Sequence, residues 1–184
     1  MLPELIEKRR AYRSLEPVDV TEDMVRDLAM NAGLSASCFN NQPWRFVFVY
    51  GARKLEELKQ TLAKGNAWAR KASLIVAVFS SEEIDCRIKG RNYYLFDTGM
   101  ATAFMLLRAT EMGLVAHPIA GFNEEKVKDV LNIPKSMQVI TLLIIGLHAD
   151  TIGPELSEQQ AASEKERPAR IGLDAFAFFN GCGL

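Results

Sequence analysis

The sequence has 184 residues, of which 48% are hydrophobic, 9% aromatic and 24% charged, and it fits one globular domain over residues 1–184, since domains commonly run to about 100–200 residues. Lys and Arg number 22 against 23 Asp and Glu, a formal net charge of −1, which argues against general nucleic-acid binding because that function rests on a basic excess. No apolar run approaches the ~18 residues of a membrane span, and residues 1–10 lack the apolar core of a signal peptide. Cys38, Cys86 and Cys182 are an odd set without Cys-x-x-Cys spacing, which points to reduced thiols in a cytoplasmic protein rather than to a disulfide scaffold.

In chain order, Leu2, Leu5 and Ile6 share one side of a short amphipathic helix. A second helix spans 21–32, with Thr21 as N-cap, Glu22 and Asp23 in the first turn and Gly33 at its stop. Residues 34–43 read as a loop and 44–50 as a strand; 53–64 is a helix with Leu55, Leu58 and Leu62 on one face. A strand over 73–80 precedes the longest helix, 93–112, which is apolar on most sides and is expected to lie at the centre. Residues 115–119 form a short strand interrupted by Pro118, Asn123 caps a helix to Leu131, and 138–147 is a buried strand. Residues 151–170 read as an extended polar excursion, followed by the apolar run Phe176-Ala177-Phe178-Phe179. That run either packs on its own domain or adds to a partner's sheet, and the residues leave both open.

Three clusters carry chemistry. Arg9, Arg10 and Arg13 repel one another unless an anion or carboxylates neutralise them, and forked guanidinium donors suit phosphate; a solvated basic helix end is the plainer reading. Ser37, Cys38, Asn40, Asn41 and Gln42 offer many directional donors and acceptors to the edge of a flat heterocycle, with Trp44 anchoring the following strand; alternatively, the loop satisfies its own backbone. Gly121, after His117 to Ala120, allows close backbone approach to a ring, or is an ordinary strand-to-helix connection. Two histidines, no clustered cysteines and no paired acids argue against a metal site. Gly-x-Ser-x-Gly, Walker and Gly-x-Gly-x-x-Gly motifs are absent from the sequence, as is a recognisable catalytic dyad.

Taken in order, these segments resemble the nitroreductase family of FMN-dependent oxidoreductases. Arg9-Arg10-Ala11-Tyr12-Arg13 is similar to the family's Arg-Arg-Ser-x-Arg element, and Ser37-Cys38-Phe39-Asn40-Asn41-Gln42-Pro43-Trp44 to its Pro-Ser-x-x-Asn-x-Gln-Pro-Trp. Pro118 to Phe122 resembles the late Gly-Phe turn, and Arg170 with Leu173, Asp174 and Asn180 the terminal Arg-x-x-Leu-Glu segment. The resemblance implies an α+β fold with a mixed central β-sheet flanked by helices. It also implies an intertwined homodimer with FMN at the subunit interface and a tail, about 151–184, that reaches across to the partner. By the same resemblance Arg9, Arg10, Ala11 and Arg13 hold the phosphate and ribityl region, with Arg170 near the phosphate. Asn40 and Gln42, beside Ser37 and Cys38, approach from the other subunit; Ala120 and Gly121 lie along the isoalloxazine, and Asn66 is a further contact.

The chain departs from the pattern at Ala11, which removes a hydroxyl, at Ala36 in place of Pro, and at Ala120, where some relatives carry an acid. The stretch between Ser80 and Arg91 leaves little room for a substrate-covering insertion, so an open pocket is expected. The implied activity is ping-pong transfer of hydride from NADH or NADPH to a nitroaromatic, quinone or other conjugated small-molecule acceptor, with the chemistry carried by the flavin and no catalytic side chain. A flavin-binding redox sensor or FMN carrier shares every motif and is the alternative; an anion-binding interaction module leaves the polar loop and Gly121 unexplained. Neither nucleic acid nor a membrane is expected as a partner.

Overall fold

Val, Ile and Leu dominate residues 139–145, and such a run favours a pleated backbone buried on both faces. It lies within β7 (Gln138–His148), the spine of the sheet in the computed structural model, which describes residues 1–182. Along one edge β7 pairs with β3 (Leu74–Ser80), which pairs outward with β2 (Arg45–Val49). β6 (Val115–Ile119) and the two-residue β1 (Leu15–Glu16) also pair with β7, β1 at its C-terminal end through Leu15 opposite His148. Pro118 sits within β6 opposite Leu143, tolerable because β6 has no second partner strand to receive an N–H.

The fold is α+β, with helices against an antiparallel sheet. The pairings within the chain are antiparallel at every described ladder, not mixed as the resemblance implied. β7 already has antiparallel neighbours along its length, so within the chain a further strand has room only at outer edges such as those of β2 and β6.

Alternation along β7 separates two apolar layers, because successive side chains point to opposite faces. Leu142 and Ile144 join Leu55, Leu58, Trp68, Ile119 and Val127 beneath α3 (Ala52–Lys59) and α5 (Glu124–Leu131). Leu143 and Ile145 join Leu28, Ala32, Met105 and Ala109 beneath α2 (Glu22–Gly33) and α4 (Tyr94–Glu111). The expected caps form: Thr21 Oγ1 accepts from Met24 N at 3.2 Å, and Asn123 Oδ1 from Lys126 N at 3.0 Å. α3 stops before residue 64 because Leu62 bridges to Phe122 and the Thr61 carbonyl accepts from Asn123 N at 2.8 Å. α1 (Leu2–Lys8) is amphipathic but buries no residue.

Two segments differ from expectation. The 151–170 excursion contains α6 (Glu158–Lys165), opened by a capping box between Ser157 and Gln160; its polar surface on all sides gives no 3.6-residue apolar signal. Between Ser80 and Arg91, where no element was expected, lies a 3-10 turn at Glu82–Ile84, and a small hairpin follows, β4 (Arg87–Ile88) with β5 (Arg91–Asn92). Lys89 and Gly90, at φ 49° and 83°, supply the left-handed pair that a two-residue hairpin turn requires. Phe176, Phe178 and Phe179 are 59%, 40% and 78% exposed, so the tail does not bury its aromatic run on its own chain; residues 183 and 184 of that expected tail lie outside the described residues. Among the described residues no helix is long and apolar enough to cross a membrane.

Leu142 is fully buried at the centre of the sheet. Leu142→Ala is expected to lower unfolding free energy by about 3 kcal/mol, read as a fall in the urea midpoint with an unchanged slope.

Candidate functional site

Immediately after α1 the chain turns extended at Arg9, with φ −60° and ψ 115°, and runs along the end of the sheet into β1. Across this segment lies α6 with the residues that follow it. A cavity of about 140 Å³ between them is lined by Arg9, Arg10, Ala11, Arg13, Ser163, Arg167, Pro168 and Arg170. The sequence-expected Arg9, Arg10, Ala11, Arg13 and Arg170 are therefore brought together, and Arg167 joins them. The lining holds five guanidiniums and no carboxylate. Burial, then the neighbouring charges of Arg167 and Arg170, push Arg9 below its ordinary range, which is the electrostatic signature of cations gathered without a counter-ion.

The cradle is held by backbone. Buried Glu164 accepts from Arg13 N at 2.8 Å through Oε1 and from Ser14 N at 3.1 Å through Oε2. Arg10 Nη2 donates to the Ser163 carbonyl at 2.6 Å, and Arg167 Nη2 donates to the carbonyls of Glu7 and Arg9, the latter at 3.0 Å. Arg10 lies 4.5 Å over the Tyr12 ring, and Tyr12 stacks at 3.7 Å on His148, the last residue of β7. Sequence reasoning missed Glu164 and Arg167. Arg167, three residues before Arg170, carried a signal as a second basic residue beside Pro168; Glu164, one acid on a polar helix, carried none.

From α6 the site continues along one face. Gln160 Nε2 donates to the Gly65 carbonyl at 3.2 Å, and the neighbouring Asn66 Nδ2 donates to the Gly121 carbonyl at 2.9 Å. Ala63 N donates to the same carbonyl at 3.0 Å, while the Gly121 N–H makes no hydrogen bond among the described residues. A Cβ on Gly121 would lie 2.5 Å from Asn66 Nδ2, so a larger residue there would push the Asn66 amide out of its present position. Asn66 and Gly121 thus meet, with exposed Ala120 beside them.

The polar loop lies elsewhere. Ser80 Oγ donates to the Pro43 carbonyl at 2.9 Å, and Arg45 pairs with Phe79, which pairs with Val139, so the loop sits at the N-terminal end of β7. Nine residue steps separate Val139 from His148, roughly 30 Å at about 3.3 Å per residue. Cys38 N donates to Asp97 Oδ2 on α4 at 2.6 Å, which puts the loop on the α2–α4 face, opposite to Trp68 and Gly121. Ser37, Cys38, Asn40 and Gln42 are therefore not brought to the arginine cavity within one chain.

Cys38 is also not a free thiol: it is disulfide-bonded to Cys86, with Cα atoms 6.1 Å apart. This corrects the reading of reduced thiols, since a sequence separation of 48 hides two positions that the turn after β3 brings side by side. Asp97 and Asp85 flank the pair; Cys86 N donates to Asp85 Oδ1 at 2.8 Å, and burial raises the Asp97 carboxyl, with Asp85 adding in the same direction. Cys182 is free and exposed.

His117, on β6, is 7% exposed and lies 4.7 Å from the Trp68 ring. Its Nδ1 is 3.0 Å from the Tyr12 carbonyl, which can only accept, so Nδ1 carries the proton. Burial lowers its pKa to about 4, aided by Arg13 and Arg9 and opposed by the Tyr12 hydrogen bond and Glu164. The folded value lies below the ordinary 6.5, so the unfolded chain binds the extra proton between the two. Stability is then complete above about pH 6.5 and falls as pH drops towards about 4, by roughly 3 kcal/mol in all. His117→Gln is expected to flatten that slope in urea titrations from pH 7 to pH 4, whereas an unchanged slope would assign it to other groups.

The chain matches the model of the nitroreductase family over residues 6–74 and 54–147. It is 31% identical over 134 residues to a 15.4 kDa protein of Mycolicibacterium smegmatis described as uncharacterized, covering 70% of this chain and 86% of that one. An NADH dehydrogenase of Thermus thermophilus is 23% identical over 174 residues, covering 78% and 84%. A solved structure described as an oxidoreductase containing FMN superposes with a TM-score of 0.84 at 24% identity, covering 96% of this chain and 90% of that one. The matched span contains the first arginine segment, the polar loop and Gly121, and the chain belongs to the nitroreductase family.

Proposed function

We propose that the protein is an FMN-dependent oxidoreductase that takes hydride from NADH or NADPH and passes it to nitroaromatic, quinone or other conjugated acceptors. The observation that carries this reading is the arginine cavity: five guanidiniums with no lining carboxylate fit a phosphate monoester, whose charge approaches −2 at neutral pH. The solved neighbour that contains FMN supports the flavin, and the relative named NADH dehydrogenase supports a nicotinamide donor. When bound, FMN would supply hydride and electron transfer in alternating half-reactions, which is why no nucleophile or acid–base pair of the chain is needed.

In this reading Arg9, Arg10, Arg13, Arg167 and Arg170 hold the phosphate, with Ala11 against the cofactor. The Gly121 N–H, unbonded among the described residues and beside Ala120, would be available to the ring as a donor. Asn66 fixes that donor by holding the Gly121 carbonyl. Burial against Trp68 keeps His117 neutral at physiological pH, so it adds no sixth charge to the cradle.

A homodimer completes the site. Ser37, Cys38, Asn40 and Gln42 lie roughly 30 Å from the arginine cavity along the sheet and on its other face, so they serve a cofactor held by a second copy. Leu95, Phe96 and Phe104 are exposed apolar side chains across the outward half of α4, at 46%, 63% and 45% exposure, and the uncovered aromatic tail offers a second contact.

An absorption spectrum with anaerobic additions of NADH and then NADPH tests the reading. Flavin bands that bleach with either donor are expected. Bands that persist with both would leave the sensor or carrier reading, and a protein that takes up no FMN would overturn the proposal. Arg167→Ala is expected to weaken FMN binding by roughly tenfold or more, since hydrogen bonds between charged groups contribute about 1.5–3 kcal/mol each. Riboflavin, which lacks the phosphate, is expected to bind both proteins equally.

A further inference from the structure

The loop that carries Asn40 and Gln42 is held in a shape its sequence does not favour. Phe39, Asn40 and Gln42 adopt φ of 49°, 59° and 50°, the left-handed region that Asn enters readily but Phe and Gln only at a cost. Phe39 is 82% exposed, and packing gives Asn40 and Gln42 no support either, since both are exposed. The loop's own hydrogen bonds are Asn40 N to the Ser37 carbonyl and Asn41 N to the Cys38 carbonyl, each at 3.0 Å, Gln42 N to Ser37 Oγ at 2.9 Å, and Gln42 Nε2 to the Asn40 carbonyl at 3.2 Å. Its ties to the body are Cys38 N to Asp97, Arg45 Nη1 on β2 to the Gln42 carbonyl at 2.9 Å, a long 3.3 Å bond from Asn41 to Asp85, and the covalent bond between Cys38 and Cys86.

Cys86 is the anchored partner. Its carbonyl accepts from Tyr93 N at 3.2 Å, at the start of α4, and its N–H is held by Asp85. Both half-cystines are half-buried, so a small dithiol can reach them. The bond joins residues 48 apart, so breaking it returns conformational freedom to the exposed end of the connection.

We propose that Cys38–Cys86 is a reversible cystine that positions the 37–42 loop for the flavin, and that opening it loosens the loop and weakens cofactor binding. The proposal rests on the FMN reading above. Opening consumes two electrons and two protons from an external dithiol. One thiolate of the reductant attacks a sulfur of the cystine and releases the other cysteine as a thiolate, which takes up a proton. The second thiol of the reductant then displaces the remaining cysteine, which is likewise protonated, and the reductant leaves as its own disulfide. In a reducing compartment such cystines are transient and regulatory rather than structural.

The test begins with thiol counting in denaturant without reductant. One reactive thiol, from Cys182, is expected in the air-oxidised protein and three after dithiothreitol. Oxidised and reduced protein, freed of dithiothreitol under nitrogen, are then titrated with FMN and separately cleaved with a nonspecific protease. Reduction is expected to raise the Kd for FMN roughly tenfold, as loss of preorganisation does, to speed cleavage within 37–42, and to be reversed by reoxidation. The Cys38→Ser/Cys86→Ser variant should match the reduced protein and ignore dithiothreitol; should it fail to fold, the wild-type comparison alone decides. Three thiols before reduction, or a Kd and cleavage rate unchanged by it, would overturn the proposal. Oxidised protein with one thiol that takes up no FMN would instead defeat the cofactor reading, and the cleavage comparison would still read the loop.

Discussion

β7 fixes the distances on which the site depends. Three strands pair with its eleven residues, and each carries a piece of chemistry to a set place along it. β1 brings the arginine segment to its C-terminal end. β6 brings Gly121 partway along, and β3 carries β2 and the polar loop to its N-terminal end. The strand cannot shorten without losing ladder bonds and the two apolar layers that alternate along it. Its length alone therefore keeps the polar loop away from the arginines of the same chain.

The second constraint is charge. Five guanidiniums around one cavity repel, and the fold offers them backbone carbonyls rather than carboxylates. The one buried acid nearby, Glu164, is turned away from the cavity and occupied by the N–H groups of Arg13 and Ser14. A carboxylate inside the cavity would relieve the repulsion and compete with a phosphate for the same donors. Holding Glu164 behind the backbone instead stiffens the arginine segment while leaving its positive face available.

The polar loop is built by other means. Asn40 and Gln42 lie outside any strand and are exposed, and their loop is tied by a disulfide to the β4–β5 hairpin region, by a carboxylate from α4 and by Arg45 at the start of β2. The two halves of the site thus differ in physical character. One is a cationic cradle set by hydrogen bonds into a helix end, and the other is an exposed polar arm tied to the body by a disulfide and a few hydrogen bonds.

Much of this was legible in the residues. Thr21 and Asn123 marked helix starts because a cap is a local hydrogen bond, and 138–147 marked its strand because burial on both faces leaves an unbroken apolar run. Arg9, Arg10 and Arg13 marked a cluster that an anion or carboxylates could neutralise, with a solvated basic helix end as the plainer reading, and the fold gathers them with Arg167 and Arg170 around one cavity. α6 was missed because its capping box opens a helix without an apolar stripe, and the β4–β5 hairpin because its strands are two residues long. Glu164 and Arg167 became part of the cradle only when α6 docked across the first segment, and Cys86 became a partner of Cys38 only when the chain between them, a separation of 48 in sequence, was folded. Local hydrogen bonds, side-chain alternation and charge act between near neighbours and so are written in the sequence itself. Which distant residues share a cavity or a covalent bond is set by packing across the chain, and that the tertiary structure alone decided.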